Sequence, residues 1–267
     1  MIWINGTLLP PDQARIDPRD RGYTLGDGLF ETLAALDGHP LNLAAHLDRL
    51  ARASTVLDLP LPVDATEVAG AIEQVLAAND LAKGRAALRI TLSRGVGSRG
   101  LLLPLDPKPV LVIMSSVHPP VPQHLDAAIV PIRRNEGSPL SRIKSLNYLD
   151  NVLAQQQAQG AGAQEALMLN NQGRIAGFAR GNVFALLDGK LVTPPLAEGV
   201  LDGIVRHQLL QHPGLEMAEA VIEKGELGQA GGLFITNSLL GCVPVTRLDG
   251  VDIPLDADLA DRLRQAI

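Results

Sequence analysis

Apolar residues in the first part of the chain recur with two spacings, one typical of strands and one typical of helices. Short or alternating apolar runs predict strands, and Asn5-Gly6 between two of them predicts a tight hairpin turn. Apolar positions three and four apart predict helices, the second of which has Asp64 near its start. The predicted strands are 1–5, 7–9, 29–36, 39–43, 86–93 and 110–117, and the predicted helices are 44–57 and 63–79.

Three prolines within residues 118–122 separate this region from the rest of the chain. Proline lacks an amide donor and fits neither a helix interior nor a central strand. We therefore predict an N-terminal α+β domain over 1–117, a linker over 118–123 and a C-terminal domain over 124–267. In the second domain we predict strands 127–132, 166–169, 183–187, 190–192 and 232–237, further strands within 241–253, and helices 149–158, 203–211 and 255–267.

Composition and charge restrict the class of protein. Of the 267 residues 46% are hydrophobic but only 3% are aromatic, which predicts globular domains with aliphatic cores. The net charge of -6 argues against a nucleic-acid surface. A single cysteine, Cys242, forms no internal disulfide, and the sequence shows neither a membrane-length apolar run nor a signal peptide. We expect a soluble cytoplasmic protein without a metal site.

Lys144 is the first candidate for chemistry. It lies between a proline-bearing loop at 137–139 and the predicted helix at 149–158, where the positive end of the helix dipole would lower the pKa of its amine. A neutral lysine amine attacks carbonyl carbons and forms a Schiff base. Taken alone, this segment favours an ordinary solvated lysine, and other segments change that interpretation.

Three further segments have features of a phosphate site. Gly203 precedes a predicted helix, whose first backbone amides are available to an anion. Ser238 follows an apolar strand, and His46 and Arg49 share one face of the helix at 44–57. Each segment alone also fits an ordinary turn, helix start or surface arginine. Because no P-loop or dinucleotide motif is present, a phosphate on an organic cofactor fits better than a nucleotide, and a reactive lysine beside it suggests pyridoxal phosphate.

The order of these segments resembles the class IV aminotransferase family, the fold-type IV pyridoxal-phosphate enzymes. That family includes branched-chain aminotransferases, D-amino-acid aminotransferases and aminodeoxychorismate lyases. The similar segments extend nearly from end to end and include RGYTLGDGLFET at 21–32, HLDRL at 46–50, KSLNY at 144–148, QEALMLN at 164–170 and LDGIVR at 201–206. The resemblance implies an α+β, two-domain fold like that of D-amino-acid aminotransferase. It implies a smaller N-terminal α/β sandwich, a larger C-terminal pseudo-barrel and a cofactor in the cleft.

The resemblance also implies roles for individual residues. Lys144 carries pyridoxal phosphate as a Schiff base and acts as general acid and base. The groups implied to hold the phosphate are Arg49, the amides of Ile204 and Val205, and Ser238. Tyr148 hydrogen-bonds the phenolic oxygen of the cofactor, although a packed core tyrosine is an equally good interpretation. The family further implies a homodimer whose active sites are shared between the two chains.

One position departs from the family. Between Gly173 and Asn182 the family carries a glutamate that pairs with the pyridine nitrogen, whereas this chain has Gly177 there and no carboxylate in the block. Loss of that charge partner weakens the ring as an acceptor of electrons from the substrate. A transaminase depends strongly on this acceptor, and a reaction driven by formation of an aromatic ring depends on it less.

We therefore predict an aminodeoxychorismate lyase, which converts 4-amino-4-deoxychorismate into pyruvate and 4-aminobenzoate, a folate precursor. Segments 93–100 and 234–245 resemble that branch of the family. Thr32 matches a threonine proposed to assist proton transfer, although an ordinary strand threonine is the simpler interpretation. The expected substrate contacts are Arg99, Tyr23 and Leu239. Two alternatives stay open: a transaminase acting on D-amino acids or related amines, which Tyr23 favours, and a cofactor-binding protein with degraded catalysis.

Overall fold

The computed structural model describes residues 1–267, and the chain divides into two compact units. Unit 1 consists of Met1–Pro120 and Ile143–Asn147, and unit 2 consists of Val121–Arg142 and Tyr148–Ile267. The first boundary falls inside the linker predicted at 118–123. The segment Ile143–Asn147 differs from the prediction, because it belongs to unit 1 and not to the C-terminal domain.

Unit 1 contains a six-stranded antiparallel sheet with the strand order β2-β1-β6-β5-β3-β4. Apolar residues of the sheet and of the two longer helices form one core, in which Leu33, Ile72 and Ile90 are fully buried. The strands are β1 Ile2–Ile4, β2 Thr7–Leu9, β3 Gly28–Leu36, β4 His39–Pro40, β5 Arg85–Ser93 and β6 Val110–Val117, and the helices are α1 Arg21–Leu25, α2 Leu43–Leu57 and α3 Ala65–Ala78.

The local signals in unit 1 mostly act as the sequence indicates. Asn5 and Gly6 both have positive φ angles, as a tight hairpin turn requires. The Asp64 side chain accepts a hydrogen bond from the Glu67 amide and caps α3. The strand predicted over 39–43 is wrong beyond Pro40, because the chain turns there and enters α2.

Unit 2 contains a nine-stranded mixed sheet, which has the order β12-β11-β10-β13-β14-β7-β8-β9 with β15 paired to β14. One apolar cluster lies among its strands, and smaller clusters include residues of the helices. The strands are β7 Leu125–Arg134, β8 Glu165–Asn170, β9 Ile175–Phe178, β10 Asn182–Leu187, β11 Lys190–Thr193, β12 Met217–Glu219, β13 Gly232–Asn237, β14 Gly241–Leu248 and β15 Val251–Asp252, and the helices are α4 Leu149–Gly160, α5 Ile204–Gln211 and α6 Ala257–Gln265.

The secondary structure of both units confirms the predicted α+β class. Strands β9 and β12 and helix α1 were not predicted, because each is too short to show a periodic pattern. None of the six α-helices combines the length and the apolar character needed to cross a bilayer.

Candidate active site

Lys144 is fixed against strand β3 of unit 1 by its backbone. The Phe30 amide donates to the Lys144 carbonyl at 2.9 Å, and the Leu146 amide donates to the Gly28 carbonyl at 2.9 Å. Gly28 leaves room for this contact, because a Cβ there would lie 2.3 Å from the Leu92 carbonyl oxygen and 2.7 Å from Leu146 Cδ1. The sequence prediction emphasised a helix start, whereas the neighbours of this lysine in unit 1 are strand residues. The backbone of Lys144 is therefore held in place by strand β3.

An aromatic ring and a second cation accompany the amine. Lys144 Nζ lies 4.3 Å from the centre of the Phe30 ring, and Arg89 Cζ lies 4.0 Å from the same centre. Thr32 is two residues beyond Phe30 on the same face of β3 and pairs with Arg89 across the sheet. Lys144 Nζ and the Arg89 guanidinium therefore lie beside the same ring on this face of β3. The sequence analysis missed Phe30 and Arg89, although strand alternation places Phe30 beside Thr32; the role of Thr32 stays a prediction.

The next residue, Glu31, lies on the opposite face of β3 and organises Arg49. Arg49 donates from Nε to Glu31 Oε1 at 2.8 Å and from Nη2 to Oε2 at 2.6 Å, while His46 Nδ1 lies 2.7 Å from Oε2. All three side chains are buried. Burial alone would raise the pKa of Glu31, but the hydrogen bonds from His46 and Arg49 outweigh burial and hold this pKa below its ordinary value. Arg49 and His46 share a helix face as predicted, and Glu31 is the partner that the sequence analysis missed.

A second cluster of charges fastens the loop that carries Arg99. Asp27 Oδ2 accepts from Arg21 Nε at 2.8 Å and from Arg94 Nε at 2.9 Å. Arg21 also donates to the Gly100 carbonyl at 3.0 Å, so the charged cluster reaches the loop backbone. Arg99 itself is exposed.

Tyr23, the other charged or polar substrate contact predicted in unit 1, is also on the surface. Its side chain is 78% exposed. The contacts of this single chain therefore leave the substrate roles of Tyr23 and Arg99 as predictions.

Unit 2 presents a helix start that suits an anion. Helix α5 begins after Gly203, no side chain caps it, and its first residues Ile204 and Val205 are buried. The first amides of a helix have no acceptor within the helix. A Cβ at Gly203 would lie 2.0 Å from Asn182 Oδ1, so a larger residue would displace the Asn182 side chain. Asn182 Nδ2 in turn donates to the Leu201 carbonyl at 2.8 Å, which holds the chain before the helix.

The turn after strand β13 lies next to Asn182 in the sheet. Asn237 Oδ1 accepts from the Leu239 and Leu240 amides at 3.0 and 2.8 Å, so Ser238 and Leu239 occupy a fixed turn. Thr236, just before it, pairs with Asn182 across the sheet, and its buried hydroxyl has no hydrogen-bond partner. The Thr236 hydroxyl, which has no partner, and the uncapped start of helix α5 are both groups that can bind a phosphate ester.

Tyr148 directly precedes helix α4 and is partly buried. Its charged neighbour is Arg134 at the end of β7, a residue that the sequence analysis missed. Burial lowers the pKa of Arg134, against the opposing influence of Tyr148 and Asp150. Arg134 Nη2 also lies 3.5 Å from the Phe178 carbonyl. Tyr148 therefore lies in a polar environment, and its predicted contact with a cofactor oxygen stays a prediction.

Gly177 lies on strand β9 in a conformation that only glycine adopts readily. Its φ angle is +155°, and a Cβ would lie 3.2 Å from the Gly181 carbonyl oxygen. A glutamate at this position would therefore strain the backbone as well as add a carboxylate.

Comparison with known proteins gives a consistent family. The family model described as amino-transferase class IV matches residues 28–248. A putative branched-chain-amino-acid aminotransferase of Methanocaldococcus jannaschii is 34% identical over 259 residues, covering 93% of this chain and 88% of the relative. An aminodeoxychorismate lyase of Bacillus subtilis is 30% identical over 257 residues, covering 94% of this chain and 88% of the relative.

A solved structure extends the similarity to the fold. The 4-amino-4-deoxychorismate lyase of Pseudomonas aeruginosa superposes with a TM-score of 0.86 and 32% identity, covering 99% of this chain and 97% of that one. This agreement confirms the fold class expected from the sequence. The chain belongs to the class IV aminotransferase family.

Proposed function

We propose that this protein is a pyridoxal-phosphate-dependent lyase that converts 4-amino-4-deoxychorismate into 4-aminobenzoate and pyruvate. The family is one of pyridoxal-phosphate enzymes, and two relatives with this lyase name are 30% and 32% identical to the chain. The observation that carries the choice of reaction is Gly177, which replaces the glutamate expected opposite the pyridine nitrogen and has a φ angle of +155° that strains any other residue. A reaction that ends in an aromatic ring has the least need of that glutamate.

Each unit, taken by itself, contains residues whose chemistry fits part of the cofactor. In unit 2 the phosphate would be held by the Ile204 and Val205 amides and by Ser238, beside the orphaned hydroxyl of Thr236. In unit 1 Arg49 would supply a guanidinium whose orientation Glu31 fixes. Bound pyridoxal phosphate supplies an aldehyde that condenses with amines and a conjugated ring that accepts electron density.

The chain's own contribution to the reaction centres on Lys144. Its amine removes the proton from the ring carbon that bears the substrate nitrogen, and pyruvate leaves from the neighbouring carbon as the ring becomes aromatic. The departing enolate takes up a proton, so one proton is lost at the ring and one is gained by pyruvate. The Phe30 ring would hold the amine on the β3 face, with the Arg89 guanidinium beside the same ring. Thr32 on that face would assist the proton transfer.

A transaminase is the second candidate. It is favoured by the Methanocaldococcus jannaschii relative, which carries an aminotransferase name at 34% identity. Transamination needs the amine of Lys144 in the same way but depends more on the ring as an electron acceptor. The two reactions therefore differ in product and not in the residues that start them.

The test is product identification with the cofactor-loaded protein. We expect wild-type protein to release pyruvate and 4-aminobenzoate from 4-amino-4-deoxychorismate, measured by a coupled reductase assay and by fluorescence. Lys144→Ala should lose about 10²–10⁴-fold in rate and also lose the visible absorbance band of the bound cofactor. Lys83→Ala is the matched control, because Lys83 is an exposed lysine of the same unit.

Other outcomes separate the alternatives. Exchange of amino groups between D-alanine and 2-oxoglutarate, without pyruvate from the chorismate substrate, would identify a transaminase. A coloured protein without either activity would identify a cofactor-binding protein. A colourless protein after incubation with pyridoxal phosphate would overturn the assignment to this chemistry.

We also propose that the protein works as a homodimer. The loop fastened by Arg21 exposes four leucines, and their exposures are 82% for Leu101, 87% for Leu102, 47% for Leu103 and 106% for Leu105. Large exposed apolar groups on a fixed loop are typical of an interface. We expect sedimentation to give twice the 28.3 kDa of one chain, and Leu102→Asp to shift the protein towards monomers. A wild-type monomer at micromolar concentration would contradict the proposal.

A further inference from the structure

Arg180 lies at the tip of a tight hairpin in unit 2. The Phe178 amide donates to the Gly181 carbonyl at 2.9 Å, and the Gly181 amide lies 3.5 Å from the Phe178 carbonyl, so Ala179 and Arg180 form a two-residue turn. The turn packs directly on strand β13, because a Cβ at Gly181 would lie 2.6 Å from Ile235 Cγ1. The backbone at Arg180 is therefore held firmly.

A buried carboxylate fixes one edge of the Arg180 guanidinium. Nε of Arg180 donates to Oε2 of Glu165, whose side chain is fully buried, while the Arg180 side chain is 51% exposed. The other carboxylate oxygen, Oε1, has no hydrogen-bond partner. Nε is the guanidinium nitrogen that bonds Glu165, and the half-exposed side chain leaves donors of the two terminal nitrogens available.

The hairpin also lies beside the groups assigned to anion binding in unit 2. The Arg180 carbonyl accepts from Asn237 Nδ2 at 2.9 Å, and Asn237 shapes the turn that contains Ser238 and Leu239. Two residues after Arg180, Asn182 contacts the chain before helix α5. Arg180 is thus next to the predicted phosphate and substrate turn, yet it is more exposed than the buried amides at the start of α5.

We propose that Arg180 binds a carboxylate of the substrate and makes the site selective for dicarboxylates. The proposal rests on the proposed function, since 4-amino-4-deoxychorismate has two carboxylates and D-alanine has one. The two terminal nitrogens of a planar guanidinium can donate to both oxygens of one carboxylate. Both oxygens of a fully paired carboxylate are satisfied, as those of Glu31 are by Arg49 and His46, whereas Glu165 keeps one oxygen without a partner.

The test measures binding and not turnover. Cofactor-loaded protein is titrated with chorismate, a dicarboxylate without the reacting amine, and with 4-hydroxybenzoate, a monocarboxylate. For Arg180→Gln we expect chorismate affinity to fall about 10-fold or more, which matches the loss of one charge-assisted hydrogen-bonded contact, and 4-hydroxybenzoate affinity to change less than 3-fold. Arg180→Lys should retain part of the chorismate affinity, because it keeps the charge without the planar fork.

Two controls address folding and specificity. The double variant Glu165→Gln with Arg180→Gln removes the buried charge together with its partner, so a folded protein with weak chorismate binding supports the proposal even if Arg180→Gln alone is unstable. Arg247→Gln is the matched control, because Arg247 is 52% exposed and is paired with Asp252 at the surface of the same unit.

Three results would overturn the proposal. They are unchanged chorismate affinity in Arg180→Gln, an equal loss for both ligands, and a loss confined to pyridoxal phosphate, which would assign Arg180 to the cofactor. No chorismate binding to the wild-type protein would also overturn it. Failure of the lyase reaction with wild-type protein, while chorismate binding still depends on Arg180, would instead count against the proposed function alone.

Discussion

A buried glutamate is paired with an arginine at Glu31 in unit 1 and at Glu165 and Glu198 in unit 2, and the pairs at Glu31 and Glu165 are built differently. Glu31 in unit 1 accepts from both Arg49 and His46, and both of its oxygens are engaged. Glu165 in unit 2 accepts from Arg180 through one oxygen, and the other oxygen has no partner. Arg49 is buried, whereas the Arg180 side chain is half exposed.

The difference separates a closed cluster from an open one. Hydrogen bonds outweigh burial at Glu31 and lower its pKa, whereas burial outweighs Arg180 at Glu165 and raises the pKa of that carboxyl. Full pairing makes the first cluster a support for its helix and strand. Incomplete pairing leaves the second cluster with Arg180 donors that a ligand can use. Burying a carboxylate with an unpaired oxygen lowers stability, which suggests that Glu165 is kept for a functional reason.

The largest effect should come from the closed cluster. Glu31→Gln leaves the buried Arg49 without its charge partner, so we expect the free energy of unfolding to fall by about 3–5 kcal/mol. Urea unfolding followed by circular dichroism measures this. His46→Gln is a useful comparison, because it keeps the Glu31–Arg49 pair and should cost less. A loss below 1 kcal/mol for Glu31→Gln would show that the cluster does not support the fold.

The pH dependence of this variant has a defined sign. A lowered pKa in the folded state means that Glu31 stabilises the protein above its unfolded pKa, near 4.5, and that this contribution is lost as the pH falls below it. As the pH falls below 4.5, the free energy of unfolding of Glu31→Gln should therefore decrease less than that of the wild type. A steeper acid loss in the variant would contradict the assignment.

A much smaller effect is expected at the open cluster. Glu165→Gln leaves Arg180 half exposed and solvated, and it removes a buried carboxylate with an unpaired oxygen, so the free energy of unfolding should stay within about 1 kcal/mol of the wild type. The same urea experiment measures it. A loss as large as that of Glu31→Gln would remove the distinction between the two clusters.

Here the pH effect has the opposite sign. The folded state holds the Glu165 proton more tightly than the unfolded state, so its contribution is present below the unfolded pKa near 4.5 and is lost as the pH rises. Glu165→Gln should therefore gain stability relative to the wild type on going from pH 4 to pH 7. A relative loss over that interval would show that Glu165 is ionised and well paired.

Much of the fold could be predicted from the sequence, because its signals are local. The Asn5-Gly6 turn, the Asp64 cap and the long strands around Leu33 and Ile90 follow from short-range chemistry and alternation. The strand predicted beyond Pro40 was wrong because the chain turns there into α2, and the unit of Lys144 was wrong because pairing with the distant strand β3 decides it. Contacts between distant stretches of chain leave no periodic trace in either stretch.

The site was predictable only in part. His46 and Arg49 are three residues apart on one helix, so their shared face is visible in the sequence. Their partner Glu31, the ring of Phe30 and the cation of Arg89 come from other strands, so only folding brings them together. The sequence analysis missed Arg180 because its partner Glu165 lies on another strand. The role proposed for Arg180 also depends on Glu165 Oε1 having no partner, which only the structure shows.

The segment Ile143–Asn147 has a consequence for dividing this protein into parts. Unit 1 is assembled from two stretches separated by more than twenty residues of unit 2, and the Phe30 amide and the Gly28 carbonyl find their partners in the second stretch. A shortened chain that stops at Pro120 would lack Lys144 and would expose a strand edge open to aggregation. Split versions and domain exchanges with relatives should therefore carry this pentapeptide along with the first unit.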